Sequence, residues 1–430
     1  MRERITRRSL LRRSAAVAAP MIVPAWVLGR AGTAAPAPSN RIRLGLVGLG
    51  SMGLRHVKGF LEESDCDLAA LCDVDATRLK EAAEVIEKAR GQGSTRTFAD
   101  YRELYACPDL DAVCLAVPDH WHSVVAVQAA RAGLAIYGEK PLALTIAEGR
   151  AMVREVERCN VVWQTGSWQR STWHFRHACE LVRNGRIGKL QKVEVGIGPG
   201  YRIEPQPVMP VPPGFDYETW LGPAPWAPYT EKRCHWNFRW ILDYSGGQVT
   251  DWGAHHIDIA QWGMNADSTG PVAVEGSGDY PSDGLWDAAV TFRFRCEYAN
   301  GVVMDVYDDK ADHVRFIGTD GWVRVSRGDL KTSPVALIRE RFGANEVRLS
   351  GPSSQNRQGH RREFLDAVRV HGTTICPIEV GHRSATVCHL GNIAMRIGRK
   401  IRWDPQAERV IGDDTAQRMT ARAMRGTWTV

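Results

Sequence analysis

The stretch Leu44-Gly-Leu-Val-Gly48-Leu-Gly50-Ser-Met-Gly53-Leu-Arg-His56 limits what this chain can fold into more than any other. A short apolar run ends in three glycines at the G-x-G-x-x-G spacing, and residues 52–61 continue with helical spacing. In a strand, turn and helix unit the first glycine makes the tight turn, and the second lets backbone approach a pyrophosphate. The third lets helix pack close to strand. The helix N-terminus then turns N–H groups and a positive dipole end toward the phosphates. Gly48, Gly50, Ser51, Met52 and Gly53 are therefore expected to hold a dinucleotide.

Glycine-rich turns are common, so the context has to carry the inference. A second apolar run, 67–73, ends in a carboxylate twenty positions after Gly53, where it would accept hydrogen bonds from the adenosine ribose. Asp73 favours NAD over NADP, because a 2′-phosphate beside it would be repelled; an ordinary strand-end turn residue is the alternative.

Between Arg41 and Trp163, apolar runs at 44–48, 68–73, 112–117, 135–138 and 161–164 alternate with helical stretches near 77–90, 123–131 and 145–159. Such alternation means a parallel sheet with helices on both faces, and ligands bind at the carboxyl ends of its strands. Two of those ends carry unusual residues: Ala116-Val-Pro118-Asp-His120-Trp-His122 and Tyr137-Gly-Glu139-Lys140-Pro141. Pro118, His122, Glu139 and Lys140 are expected beside the cofactor. A lysine held just past a buried strand by a proline is placed for chemistry, with a plain surface lysine as the alternative.

The later half reads differently. After a helix at 173–184 come strand-like segments at 191–197, 288–294, 302–307, 313–317 and 322–325, with hairpin signals at Asn300-Gly301 and Asp320-Gly321. That predicts an antiparallel sheet and a second domain. The fold class is α/β: a Rossmann domain over 41–165, a substrate and oligomerisation domain over 166–345, and helices near 361–370 and 382–397 within a final region, 346–430. Nine of the fifteen tryptophans fall between Trp163 and Trp262, a density that suits stacking on sugar C–H faces, with core packing as the alternative. Trp168, Arg170, Trp252 and Asp258 are the substrate-contact candidates.

A second constellation is Asp251-Trp-Gly253-Ala-His255-His256-Ile-Asp258. On one helix, positions i, i+4 and i+7 lie within roughly 60° of one another, so Asp251, His255 and Asp258 are expected to share a face. An imidazole one turn from a carboxylate suits a general base. The alternatives are a helix turn with satisfied polar groups, or a metal site on His255 and Asp251 with His120 or His122.

Residues 1–34 read as a twin-arginine export signal: Thr6-Arg7-Arg8-Ser9-Leu10-Leu11, an alanine-rich apolar run, then small residues, with 35–40 as a linker. That segment carries seven arginines against one acid, which accounts for the whole chain's net charge of +6. The remainder is balanced, which gives no electrostatic reason to expect nucleic acid or an acidic membrane. The ten cysteines show no C-x-x-C spacing, which argues against disulfides and a thiolate metal site.

Gly48-x-Gly50-x-x-Gly53-x-x-His56, Asp73, Glu139-Lys140-Pro141 and Asp251-x-x-x-His255 occur in an order and spacing that resemble the Gfo/Idh/MocA oxidoreductases. The resemblance implies a second domain with a large, open, mainly antiparallel sheet whose outer face makes homodimer or homotetramer contacts. It also implies that 346–430 packs back on both domains. Lys140, Asp251 and His255 become the catalytic trio, with NAD as cofactor, a carbohydrate as substrate and a cis peptide before Pro141. The export signal points to the twin-arginine machinery as partner and the periplasm as location, as in glucose-fructose oxidoreductase, which carries a tyrosine in place of His255. Because free NAD is scarce there, the dinucleotide is expected to stay bound and be recycled between substrates. Two alternatives remain: a glycoside lyase or hydrolase working by transient oxidation, whose relatives carry a different histidine motif, and a non-catalytic carbohydrate binder with structural NAD.

Overall fold

The computed structural model describes residues 40–349 and 357–430; the export signal and nearly all of the linker lie outside them. The first sheet is built from six short, mostly buried strands: β1 (Ile42–Val47), β2 (Cys66–Cys72), β3 (Arg96–Phe98), β4 (Ala112–Leu115), β5 (Ala135–Gly138) and β6 (Trp163–Thr165). Their order is β3-β2-β1-β4-β5-β6, and every pairing is parallel. The crossovers are α1 (Ser51–Leu61), α2 (Ala76–Arg90), α3 (Tyr101–Tyr105), α4 (Asp119–Arg131) and α5 (Ile146–Cys159). Local chemistry sets their ends: the Asp75 carboxylate accepts from Thr77 N and Arg78 N at the start of α2, and the Thr145 hydroxyl accepts from Glu148 N at the start of α5. The strand order reverses between β1 and β4, so a crevice opens beyond their carboxyl ends.

Here one expectation changes. The segment ending in His120 and His122 is not strand end: Pro118 caps a helix beginning at Asp119, four residues before the expected start. Proline has its dihedral fixed and needs no N–H partner, so helix can begin directly behind it.

Helix α6 (Trp173–Arg183) leads into the second sheet: β7 (Leu190–Ile197), β8 (Ala273–Asp279), β9 (Thr291–Glu297), β10 (Val303–Asp308), β11 (His313–Gly318), β12 (Trp322–Val325), β13 (Leu330–Ser333), β14 (Ile401–Asp404) and β15 (Arg409–Ile411). Among the described residues its order is β13-β12-β11-β7-β10-β9-β8-β14-β15, antiparallel except for the β7–β10 pair. β8 has no counterpart in the sequence reading, because Gly276 and Gly278 stand where side chains would mark the alternation. The strand expected over 288–294 begins at Thr291.

One face of this sheet is covered by α6, α8 (Gly253–Gly263) and α10 (Ile378–Ile397), with the short α7 (Gln248–Asp251) leading into α8, while α9 (Arg357–Val370) packs against the first half. Phe364 and Leu365 of α9 sit in one core with Leu44, Leu46 and Phe60 of the first half. Ile378 and Ala385 of α10 join the first half's other core, while Val387, Leu390 and Ile393 join the core of the second sheet.

Two buried polar clusters lock this arrangement. Arg170 donates from Nε and Nη2 to the two oxygens of Asp258 (both 2.8 Å) and from Nη2 to Asp267 (2.8 Å), with the guanidinium over the Trp262 ring. The Arg170 and Asp258 side chains are 1% and 0% exposed. Removing one partner strands a buried charge, so Arg170→Met is expected to cost about 3–5 kcal/mol in denaturant unfolding.

In the second cluster Ser171 has one hydroxyl proton for two neighbours, His360 Nδ1 at 2.7 Å and Glu363 Oε2 at 3.3 Å. His360 Nε2–H donates to Thr165 O, so its Nδ1 accepts the Ser171 proton. Glu363 then matches Ser171 only when protonated, and burial raises its pKa from near 4.5 to about 7. The native state therefore binds more protons than the unfolded chain between about pH 4.5 and 7, and stability falls as pH rises through that window. Glu363→Gln is expected to flatten the loss, on the order of 1–2 kcal/mol after allowance for its partial exposure, as measured by unfolding at pH 5 and pH 8.

Candidate active site

The crevice beyond β1 and β4 opens into a cleft of about 740 Å³ that runs from the glycine turn to α8. Gly48 has φ +86°, and a Cβ on it would lie 2.6 Å from Ala116 O, so only glycine fits the turn. A Cβ on Gly53 would lie 2.0 Å from Gly48 O, which accounts for the third glycine: it lets α1 seat on the turn and does not line the cleft. No side chain caps α1 at Gly50, and Gly50, Ser51 and Met52 border the cleft. At the end of β2, Asp73 accepts from Leu49 N (2.6 Å) and Asp75 N (2.9 Å), which fixes its carboxylate at the cleft edge. Burial raises its pKa, and those two donors with Arg78 oppose the rise. A glycine-only turn, an uncapped helix start and a fixed acid beyond it fit the pyrophosphate and ribose of NAD.

At the other end, Lys140 follows β5 through a cis Lys140–Pro141 peptide. Its Nζ donates to Asp251 Oδ1 (2.7 Å) and to Asp251 O (2.9 Å), and Arg239 Nε donates to the same Oδ1 at 3.4 Å. Burial alone would raise the Asp251 pKa; Lys140 and Arg239 outweigh it, and the pKa is lowered. His255 stands on α8 in the same cleft, with Trp168 edge-on to its ring at 6.3 Å. Asp251 thus holds both cations at the point where the two halves meet.

Glu139 turns inward from its lysine neighbour. Arg361 Nε donates to His56 Nδ1 (3.3 Å), so His56 Nε2–H donates to Glu139 Oε1 (2.8 Å), and Glu139 Oε2 accepts from Lys140 N (3.2 Å). The histidine of the glycine motif and the glutamate of Glu139-Lys140-Pro141 are therefore one buried contact that fixes the lysine backbone.

Besides Gly53, three expected site residues do not reach the cleft. His122 lies behind its wall, with ring nitrogens 2.8 Å from Pro141 O and 2.9 Å from Val117 O, and braces two loops that line it. Asp258 does not share the working face: seven residues, about 10 Å of helix, separate it from Asp251, and it lies fully buried in the core. There it meets Arg170, which is likewise no substrate contact. Trp168 and Trp252 do line the cleft, and Pro118 does too. Of the other clustered tryptophans, Trp163, Trp240 and Trp262 are core, while Trp226 and Trp236 are exposed.

Two cleft arginines carry no sequence signal. Arg239 comes from a short 3₁₀ helix, His235–Trp240, in the excursion after β7. Arg327, from the β12–β13 turn, stacks over Trp252 at 4.1 Å and over Trp168 at 5.0 Å, with Nε donating to Gln169 (3.0 Å). His120, an alternative metal ligand, is turned toward Trp220 O at 2.9 Å. Among the described residues no group of three His, Cys, Asp or Glu side chains is placed to hold a metal ion.

Residues 42–167 match the family model for the NAD-binding Rossmann fold of an oxidoreductase family, and residues 201–430 match the model for its C-terminal alpha/beta domain. The chain is 31% identical over 223 residues to myo-inositol 2-dehydrogenase of Thermotoga maritima, covering 52% of this chain and 55% of that one. It is also 31% identical over 171 residues to a glycosyl hydrolase family 109 protein of Shewanella putrefaciens, covering 36% of this chain and 37% of that one. The chain thus spans about half or less of the curated relatives it matches. Levoglucosan dehydrogenase, solved with NADH and L-sorbose, shares the fold with a TM-score of 0.65 at 17% identity, over 85% of this chain and 100% of that one. With both of its domain models matched in order, the chain belongs to the Gfo/Idh/MocA oxidoreductase family.

Proposed function

We propose that this protein is an NAD-dependent oxidoreductase acting on a CH–OH carbon of a sugar, polyol or glycoside. The observation that carries the proposal is the Lys140–Asp251 pair, 2.7 Å apart, in one cleft with His255, Asp73 and the Gly48 turn. A bound nicotinamide supplies the hydride acceptor there. A ring nitrogen of His255 takes the hydroxyl proton, because a carbon gives up hydride readily only as its oxygen becomes alkoxide-like. Lys140 Nζ hydrogen-bonds that oxygen and stabilises its growing negative charge. Asp251 holds and aims Nζ, and Arg239 also donates to its carboxylate. Trp168 and Trp252 offer aromatic faces for a sugar ring.

Retention and recycling of the dinucleotide, export by the twin-arginine route and assembly through the second sheet belong to the same proposal. The first two rest on Arg7-Arg8 and the segment behind it. A change of both arginines to lysine is expected to leave the protein in the cytoplasm, as read by cell fractionation.

A second reading, transient oxidation followed by elimination and return of the hydride, is favoured by the likeness to glycosyl hydrolase family 109 proteins. One assay separates the two. Acid-released nucleotide is identified by mass spectrometry, and the native protein is then mixed with sugars and glycosides while absorbance near 340 nm is followed. Bound NAD that stays reduced supports the dehydrogenase; glycoside cleavage in deuterated water, with deuterium beside the oxidised carbon and no net reduction, supports the second reading. Lys140→Met and His255→Asn are each expected to lower turnover by about 10²–10⁴-fold with nucleotide still bound. Full activity in both would remove this mechanism.

A further inference from the structure

The dinucleotide cleft has a wall that neither the glycine motif nor Asp73 supplies. Asp73 N donates to Phe98 O (3.3 Å), so the segment after β3, 99–102, comes next beyond the expected ribose position, where the adenine has to lie. There Tyr101 packs edge-on to Trp121 (ring centroids 6.0 Å apart, planes at 71°), and Trp121 packs edge-on to Trp428 (4.8 Å, 75°). The Arg102 guanidinium, held by Asp100 (Nη2 to Oδ2, 2.6 Å), stands 6.0 Å from the Trp428 ring. Tyr101, Arg102, Trp121 and Trp428 all line the cleft, with Trp428 half-buried.

Trp428 is brought there by a segment, 422–428, that has no helix or strand of its own. Two arginines fasten it to opposite sides. Arg422 donates to Glu148 Oε1 (2.7 Å) and His120 O (2.8 Å), both on helices of the first sheet. Arg425 donates to Gly222 O (3.1 Å) and Ala224 O (3.0 Å) and pairs with Glu218, all in the excursion after β7. Arg425 N also donates to Pro223 O (2.9 Å). The same excursion touches the end of β2, where Ala76 N donates to Gly214 O (2.9 Å) and Asp216 N to Val74 O (2.9 Å).

We propose that the 422–428 segment is part of the dinucleotide site, with the Trp428 indole forming the outer face of the adenine subsite and the Arg422 and Arg425 anchors setting how long NAD stays. A flat, weakly polar purine gains from an aromatic wall and from a neighbouring guanidinium, and these side chains present both. The inference rests on NAD as the cofactor and not on the sugar chemistry, so a failed sugar assay leaves it standing.

The test uses the full chain freed of nucleotide and isothermal titration with NAD, AMP and NMN. Trp428→Ala is expected to weaken NAD and AMP by a similar factor, about five- to tenfold, and to leave NMN within twofold. Trp428→Phe should recover most of the loss. Arg425→Ala, which frees the segment without altering the cleft wall, should give the same selective loss and faster NAD release by stopped-flow. Thermal midpoints of all three identify any variant that fails to fold, and the remaining ones then decide. Unchanged NAD and AMP affinities in the folded variants, or an equal loss for NMN, would overturn the proposal.

Discussion

The Lys140–Asp251 ion pair is the bond on which the working geometry depends, because its two members come from different halves of the molecule. Lys140 is delivered by the end of β5 and Asp251 by the short helix ahead of α8, so each half of the molecule contributes one charge to a shared point. Asp251 is half-buried, and without the two cations beside it its carboxylate would face a desolvation cost. The pair therefore works in both directions: it positions an ammonium group for an oxygen anion and keeps a half-buried acid ionised.

Behind that pair stands a line of polar contacts with no direct part in the chemistry. Arg361 on α9 fixes the His56 tautomer, His56 fixes Glu139, and Glu139 accepts from the Lys140 backbone. A lysine on a loop would ordinarily sample several positions. Here its backbone is clamped from one side by Glu139 and from the other by the carbonyl braced on His122. Proton-transfer geometry depends on fractions of an ångström, and the outermost member of this line, Arg361, comes from the region of the chain that the sequence describes least.

How much of this was legible depends on whether the signal is local. The glycine turn, the acid at the end of β2 and the alternating runs are local events, each governed by a few neighbouring residues, and the structure has a tight turn, a strand-end Asp73 and a parallel sheet at those places. The family resemblance linked Lys140, Asp251 and His255, and the structure brings all three to one cleft. Asp258 misled because helical periodicity fixes direction around an axis and says nothing of depth along it. Arg170 misled because a charged residue beside aromatic ones looks the same in sequence whether it meets a ligand or a buried acid. Arg239, Arg327 and Trp428 gave no sign at all, since they reach the cleft from a short 3₁₀ helix, a hairpin turn and an irregular tail, each positioned by contacts far away in the chain.

Helix α10 has a consequence for motion. It is buried along most of its length, and its successive turns belong first to the core of one half and then to the core of the other. A hinge needs a thin connection, and a twenty-residue helix with fifteen buried residues shared between two cores is not one. The angle between the halves is thus set by side-chain packing, as the interior of a single domain would be. The width of the cleft floor is then a property of that packing, fixed by the same side chains that hold the two cores together.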